Sequence, residues 1–411
     1  MDIQQLHSDE LWPYLLAYLP SNYAELAYEH AALQRCRHVP DAGALLRMIL
    51  AYAVTDLSLK DVAAWATAGH IADVSGPALF YRVRDAEAWL AALLAAVLAR
   101  EVAPPPRLTL QARVVDATVL TGPGATGTEW RVHLLMNPAT GRFCAAEVTD
   151  ATGGEGLTRH PLTPGEVVLG DRGYAHARGI ASAVNREAHV VARLNPYAIR
   201  LCRPDRTIWS IDSVQDQVPL VGGVEWEILI PIPPDTPATH SHKPWPLAKA
   251  SQWVPARLCA ARTRTQEIIW VLTTLSPAVA STRQCLELYR VRWQVELVFK
   301  RLKSLLDLDA LPSRQGPTAR SWVLARLLAA ALAQHLVHPS GVFSPWGYPL
   351  PGAGREVIAQ CVVPISHDAL GAAHDHPWPV DGGMHPHGGE SATPKCITAE
   401  AATATATRLD S

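Results

Sequence analysis

Apolar residues recur at three- and four-residue steps from the start of the chain to about residue 101, which predicts helices. Ser58 is suited to cap one helix, and Gly69 marks the turn after it. A second helix is predicted near Ser75, with Pro77 in its first turn. This pair fits a helix-turn-helix and an ordinary helical bundle equally well. We therefore predict an N-terminal helical domain over residues 1–103, with DNA binding as a hypothesis.

The hydrophobic pattern changes after the stiff joint Pro104-Pro105-Pro106. Short apolar runs follow, a helical stretch interrupts them, and the order favours a mixed α/β sheet. Strands are predicted at 108–120, 130–136, 142–148, 167–171 and 190–194, and a helix at 175–187. These elements define a region over residues 107–200.

Three further regions follow from composition and periodicity. Residues 201–277 are rich in Trp, Ile, Val and Pro and predict a small β-rich unit. Residues 278–338 return to a helical pattern. Residues 339–411 are crowded with Pro, Gly, His, Ala and Thr, and we expect this tail to be mostly disordered.

Bulk composition narrows the class of protein only a little. About half of the 411 residues are hydrophobic, and the formal net charge is -2, which argues weakly against a nucleic-acid partner. The seven cysteines form no C-x-x-C pair, which favours reduced thiols in a cytosolic protein. We expect neither a signal peptide nor a membrane span, because the longest apolar runs are short.

The segment 289–303 presents two distinct faces when it is placed on an α-helix. One face is apolar, and the other gathers four polar side chains within an arc of roughly 60°. These are Tyr289, Arg292, Glu296 and Lys303. The glutamate could hold a divalent cation while the cations grip phosphates. A solvated helix face with ion pairs explains the same residues and stays open.

Two aspartates in the mixed sheet strengthen the first interpretation. Asp116 lies inside an apolar strand, where an acid is costly to bury without a partner. Asp171 ends a short apolar strand, a place where functional groups are common. With Glu296 they supply three carboxylates, enough for a two-metal site. Asp150 and Glu155, in contrast, lie in a loop that we interpret as a solvated turn.

The polar helix face matches the Y-x2-R-x3-E-x6-K signature of the insertion sequence 4 family of transposases, which this chain therefore resembles. The Val-Val-Asp116-Ala-Thr and Gly-Asp171-Arg-Gly-Tyr segments look like that family's regions around its first two catalytic aspartates. The match covers roughly residues 107–310. The long gap between Asp171 and Glu296 resembles the family's β-strand insertion.

The resemblance implies an α/β fold: an RNase H-like core that a β-rich insertion interrupts. It implies that Asp116, Asp171 and Glu296 bind two Mg²⁺ ions, which Mn²⁺ can replace. Tyr289, Arg292 and Lys303 would contact DNA phosphates. The partners would be double-stranded terminal inverted repeats and target DNA, bound by a homodimer in the bacterial cytoplasm at the nucleoid.

Trp270 has an implied role of its own. Some relatives pass through a DNA hairpin, in which a Trp of the insertion stacks on a flipped base, and Trp270 occupies a similar place. Packing within a strand explains it equally well.

The abrupt change of composition after about residue 338 leaves further interpretations open. A frameshifted or decayed copy would act only as a DNA-binding protein. A metal nuclease on the same core would cleave DNA without joining it.

Overall fold

Ten strands of the computed structural model form one mixed sheet, with helices on both of its faces. The structure describes residues 8–99, 111–124, 127, 129–138, 141–234, 245–292, 311–312 and 316–337, and all of them fall in one compact unit, Met1–Pro364.

The strands run in two series along the sheet. Their bounds are β1 Gln111–Leu120, β2 Trp130–Asn137, β3 Arg142–Asp150, β4 Glu166–Gly170, β5 His189–Arg193, β6 Leu201–Cys202, β7 Ile208–Trp209, β8 Gly223–Ile232, β9 Gln252–Arg262 and β10 Ile268–Thr273. The order across the sheet is β3-β2-β1-β4-β5-β10-β9-β8-β6-β7. Strands β1, β4 and β5 are parallel neighbours, and the other pairings are antiparallel.

In the described part of the chain, six helices precede the sheet, one crosses between β4 and β5, and two follow the sheet. Their bounds are α1 Ser8–Leu16, α2 Tyr23–Glu29, α3 Ala42–Val54, α4 Leu59–Ala68, α5 Gly76–Asp85, α6 Glu87–Ala99, α7 Ala177–Asn185, α8 Thr282–Val291 and α9 Gly316–Val337. None of these described helices has the length and apolar character needed to cross a bilayer.

Side-chain caps explain where α4 and α5 begin. The Oγ atom of Ser58 accepts a hydrogen bond from the Asp61 N–H at 3.2 Å, and Asp61 Oδ2 accepts one from the Ser58 N–H. Ser75 caps α5 in the same way, by accepting from the Ala78 N–H at 3.4 Å. Both predicted helix starts are confirmed, and α4 packs against α5. DNA binding by this pair stays a prediction.

One face of the sheet shares a single core with the N-terminal helices. Leu45 of α3, Trp89 of α6 and Leu328 of α9 are buried in one cluster with Val114 of β1 and Leu169 of β4. Helix α9 bridges the two regions because it packs against α6, α3 and β3. The N-terminal helices are therefore anchored to the sheet by buried apolar surface.

The second face is covered by α7 and by three short 3₁₀ segments, Leu157–Arg159, Arg172–Tyr174 and Ile211–Gln217. Its core contains Val115, Val168, Ile180, Val190 and Leu258. Strand residues alternate between the two faces, so Val114 and Val115 enter different cores.

The mixed α/β class and the strands and helix predicted between 107 and 200 are confirmed. The segment predicted as β-rich over 201–277 contains β6 to β10, and these strands extend the same sheet beyond β5. The predicted tail, 339–411, lies outside the described residues.

A buried ion pair fixes β1 beside β4. Arg113 Nε and Glu166 Oε1 are 2.6 Å apart, and both side chains are almost fully buried. The second carboxylate oxygen of Glu166 accepts from the Thr163 N–H at 2.8 Å. These bonds lie at the start of β4, so they hold the register of the two strands from the end opposite Asp171.

Candidate active site

The two predicted aspartates lie side by side on two interior strands of the sheet, just beyond the last paired positions of β1 and β4. Asp116 belongs to β1, and Asp171 directly follows β4. The two strands are parallel, with Val114 opposite Leu169, and each acid lies two residues farther along its strand. Because side chains alternate along a strand, Asp116 lies on the same face as Val114. Parallel strand ends commonly carry the functional groups of a mixed sheet.

Backbone N–H groups orient both carboxylates. The Ala117 N–H donates to Asp116 Oδ1 at 2.8 Å, and the Gly173 N–H donates to Asp171 Oδ1 at 2.8 Å. Asp171 thereby caps the 3₁₀ turn Arg172–Tyr174. No described residue forms a hydrogen bond with the second oxygen of either carboxylate, which can therefore accept another ligand.

The electrostatic environment disfavours ionisation of Asp116. Burial raises the pKa of Asp116 to about 6, the Ala117 N–H opposes that rise, and Asp171 adds to it. Arg292 lowers the same pKa, while Glu155 raises it. Among the described residues, Arg292 therefore offsets only part of the repulsion between Asp116 and the neighbouring carboxylates of Asp171 and Glu155.

Helix α8 brings two of the predicted phosphate contacts to this site. The guanidinium carbon of Arg292 is 5.7 Å from the ring centroid of Tyr289, a cation–π arrangement. Tyr289 is half-buried against the core face that also carries Val114, and Arg292 acts electrostatically on Asp116. The structure thus brings Asp116, Arg292 and Tyr289 together. Glu296 and Lys303 lie outside the described residues.

Arg257 of β9 anchors the start of α8. Its side chain is buried, and it donates to the carbonyl oxygens of Leu275 at 2.8 Å and Ala280 at 2.6 Å. Its Nη1 atom lies 2.6 Å from Glu225 Oε2, which also accepts from the Thr282 hydroxyl at 2.5 Å. This network couples the helix that carries Tyr289 and Arg292 to the sheet.

Trp270 lies away from the acids, on the other face of the sheet. It is half-buried against the second core, and its ring centroid is 5.7 Å from that of Trp226. Trp226 in turn lies 5.8 Å from Trp209. These contacts give Trp270 a packing role, and the structure does not bring it together with Asp116.

Glu155 lies closer to the candidate site than the sequence indicated. It was interpreted as part of a solvated turn, yet it is half-buried and lies beside Gly173 and Asp171. Burial raises the pKa of Glu155, and Asp171 raises it further, while Arg131 and His176 lower it. No spacing in the sequence links the loop after β3 to the turn after β4.

A group of buried polar side chains includes Tyr174, which interacts electrostatically with Asp116 and Asp171. His133, His160 and Tyr174 are each at most 3% exposed. His133 Nε2 shares a hydrogen bond with Thr149 Oγ1 at 3.0 Å, and the rings of His160 and Tyr174 are 6.0 Å apart. Burial lowers the pKa of both histidines to about 4 and raises that of Tyr174. These imidazoles are therefore neutral at physiological pH.

The chemistry of the donor set fits a hard divalent cation. Asp116 and Asp171 present carboxylate oxygens at adjacent positions, and oxygen ligands suit Mg²⁺ and Mn²⁺. Within the described part of the chain, however, no three His, Cys, Asp or Glu side chains converge closely enough to form a complete metal site. The predicted third ligand, Glu296, is not among those residues.

Comparison with known proteins places the chain in a family. The sequence model of the family described as "Transposase DDE domain" matches residues 108–332. The putative transposase InsL for insertion sequence element IS186A, from Escherichia coli strain K12, is 31% identical over 362 residues, which cover 82% of this chain and 97% of that protein. The transposase for insertion sequence element IS421, from Escherichia coli, is 31% identical over 363 residues, with the same coverage.

A cryo-EM structure of the piggyBac transposase synaptic complex with hairpin DNA is also similar. It has a TM-score of 0.45 and 7% sequence identity, and the match covers 92% of this chain and 86% of that one. These values are too low to support an inference. The sequence matches suffice: the chain belongs to the DDE transposase family, and the resemblance to transposases of insertion sequences is confirmed.

Proposed function

We propose that this protein is an active transposase that cleaves DNA at the terminal inverted repeats of an insertion sequence and joins the ends to target DNA. The observation that carries the proposal is the placement of Asp116 beside Asp171, just beyond the parallel pairing of β1 and β4, with Arg292 in electrostatic reach. A catalytic carboxylate pair flanked by a phosphate-binding cation suits phosphoryl transfer. The order of strands β1 to β5 also supports an RNase H-like core.

Each residue of the site has a separate role in this proposal. Asp116, Asp171 and Glu296 bind two Mg²⁺ or Mn²⁺ ions. When bound, such ions supply activation of the attacking oxygen and stabilisation of the leaving one. The N–H bonds from Ala117 and Gly173 fix the two aspartates in place, so little reorganisation is needed during the reaction.

The cationic residues act on the DNA backbone. Arg292 donates to a phosphate next to the cut, and Tyr289 supports the guanidinium by its ring face. Lys303 contacts a second phosphate. Two protomers act together on paired ends.

Strand cleavage in Mg²⁺ on a DNA duplex that carries the element's terminal repeat tests this function. We expect wild-type protein to cut at the repeat. The cleavage rate of Asp116→Asn and of Glu296→Ala should fall at least about a hundredfold, because each substitution removes a proposed metal ligand. Both variants should still shift the labelled duplex in a gel. Glu287→Gln is the matched control, because Glu287 is an exposed acid on α8 that pairs with Arg283 at 2.8 Å.

Three outcomes separate the alternatives. Binding without cleavage by the wild type would identify a decayed copy. Cleavage without a joined product would identify a metal nuclease of another kind. Undiminished cleavage in Glu296→Ala would remove that glutamate from the mechanism.

A further inference from the structure

The loop after β3 is fixed over the candidate active site by two arginines. Arg131 of β2 donates from Nη1 to the Gly153 carbonyl at 3.0 Å, and Arg159 donates from Nε to the Gly154 carbonyl at 2.9 Å. Both bonds hold backbone groups directly before Glu155. An open pocket of about 660 Å³ beside this loop is lined by Glu155, Glu147 and Arg159, among others.

The side chain of Glu155 occupies space that Gly173 leaves free. A Cβ atom on Gly173 would overlap Glu155 Oε2, and it would lie 3.1 Å from Asp171 Oδ1. The carboxylates of Glu155 and Asp171 therefore flank the same point. A residue with any side chain at position 173 would force Glu155 away from Asp171.

No described cation forms an ion pair with Glu155 that accounts for this position. Among the described residues it makes neither a hydrogen bond nor an ion pair, whereas Glu147 in the same pocket pairs with Arg159 at 2.9 Å. Arg131 and His176 act on Glu155 electrostatically, and neither forms an ion pair with it. Two carboxylates at close range repel each other unless a cation lies between them.

The hydroxyl of Tyr174 gives an independent indication of a ligand. Tyr174 is fully buried, its hydroxyl has no hydrogen-bond partner among the described residues, and it acts electrostatically on Asp116, Glu155 and Asp171. A buried hydroxyl costs free energy unless it is hydrogen-bonded. The hydration shell of a cation held between Glu155 and Asp171 would supply a hydrogen-bond partner for it.

We infer that Glu155 is a further carboxylate ligand of the catalytic centre, which binds a divalent cation together with Asp171. This inference rests on the proposed function, because it assigns an additional residue to the same metal site. Gly173 then contributes to catalysis because it has no side chain, which lets Glu155 approach Asp171.

Binding of Mn²⁺ to the full-length protein, measured by isothermal titration calorimetry without DNA, tests the assignment. We expect Glu155→Gln to weaken Mn²⁺ binding at least about tenfold, as loss of a metal-site partner commonly does. Glu147→Gln is the matched control from the same pocket and should bind Mn²⁺ within about twofold of wild type, because its ion pair with Arg159 is partly exposed. Thermal melting of each variant verifies that it is folded.

Gly173→Ala provides a second, independent variant. It should weaken Mn²⁺ binding to a similar degree, and the double variant with Glu155→Gln should be no weaker than either single one, because both changes remove the same contact. Additive losses would contradict the proposed contact between these residues.

The outcomes distinguish this inference from the proposed function. Wild-type Mn²⁺ affinity in Glu155→Gln, with binding lost in Asp171→Asn, overturns the role of Glu155 and leaves the catalytic aspartates standing. Unchanged affinity in Asp116→Asn and Asp171→Asn would overturn the metal site itself, and Glu155 would fall with it.

Discussion

Asp116 and Asp171 each lie two residues beyond a directly paired position of two parallel strands, Val114 opposite Leu169. This register places two acids next to each other in a half-buried setting. Burial and the neighbouring Asp171 both raise the pKa of Asp116, to about 6. The same crowding that creates a cation site therefore makes the metal-free protein less stable when both acids are ionised.

Asp116→Asn should stabilise the metal-free protein at alkaline pH. Because the pKa of Asp116 is higher in the folded state than its usual 3.8, the stability it contributes is present below about pH 4 and lost as pH rises through 6. The shift corresponds to about 3 kcal/mol. We expect the variant to gain up to that amount in free energy of unfolding at pH 8 and nothing at pH 4, measured by urea denaturation with EDTA.

Asp216→Asn serves as the control for this measurement, since Asp216 is an exposed acid. Its free energy of unfolding should follow the wild type at both pH values. A gain in Asp116→Asn of the same size at pH 4 and pH 8 would contradict the assigned ionisation.

His160 should make the protein sensitive to acid. Burial, together with His133 and Arg159, lowers the pKa of His160 to about 4. A histidine whose folded pKa is depressed contributes stability that is present above about pH 6.5 and lost as pH falls toward 4. His160→Phe keeps a ring against Tyr174 and removes the titrating group. Between pH 6.5 and pH 4, the free energy of unfolding of this variant should therefore fall by up to about 3 kcal/mol less than that of the wild type.

Acid denaturation followed by circular dichroism measures this difference. His38→Gln, at an exposed position, should keep the wild-type dependence on pH. Parallel curves for His160→Phe and wild type would show that another group is responsible for the acid sensitivity.

Arg257→Met should destabilise the fold and disturb α8 in particular. The substitution leaves Glu225 and the carbonyl groups of Leu275 and Ala280 without their buried donor. A buried carbonyl group left without its donor costs about 1–3 kcal/mol, and the ion pair with the partly exposed Glu225 contributes less than a fully buried pair would. Chemical denaturation should show a loss of this order, and cleavage should fall because Arg292 loses its position.

The comparison variant is Arg283→Met, which removes an exposed ion pair of α8 with Glu287. An exposed pair of this kind contributes little to stability because water screens it. Equal losses in the two variants would show that Arg257 is not the anchor of the helix.

Local patterns along the chain predicted strands β1 to β5 and identified Asp116 and Asp171 as candidate site residues. Apolar runs identify β1 and β4, and an acid inside or at the end of such a run is costly enough to be noticed at Asp116 and Asp171. Ser58 was recognised as a cap, and a helix start was predicted near Ser75, because the signals for a helix start span only a few residues. Signals of this kind act over short sequence distances.

Contacts between distant segments left no such signal. Glu155 reaches Asp171 because the loop after β3 folds over the turn at Gly173, and nothing at either position encodes that contact. The addition of β10 beside β5 was likewise not evident, since Thr273 pairs with Val191 across 82 residues of chain. Long-range strand order depends on the packing of whole elements.

Trp270→Leu separates packing from a role in DNA recognition. Trp270 contacts Trp226 on the face of the sheet opposite to Val114, so its loss should destabilise the protein by about 3 kcal/mol, as for other large-to-small core changes. Trp226→Leu is the matched control, because it removes the other partner of the same contact. If Trp270 only packs, both variants lose similar stability and keep the same distribution of nicked, hairpin and joined DNA products below their melting temperatures. Selective loss of the hairpin product in Trp270→Leu, with Trp226→Leu like wild type, would instead assign base stacking to Trp270 and require this part of the sheet to rearrange on DNA.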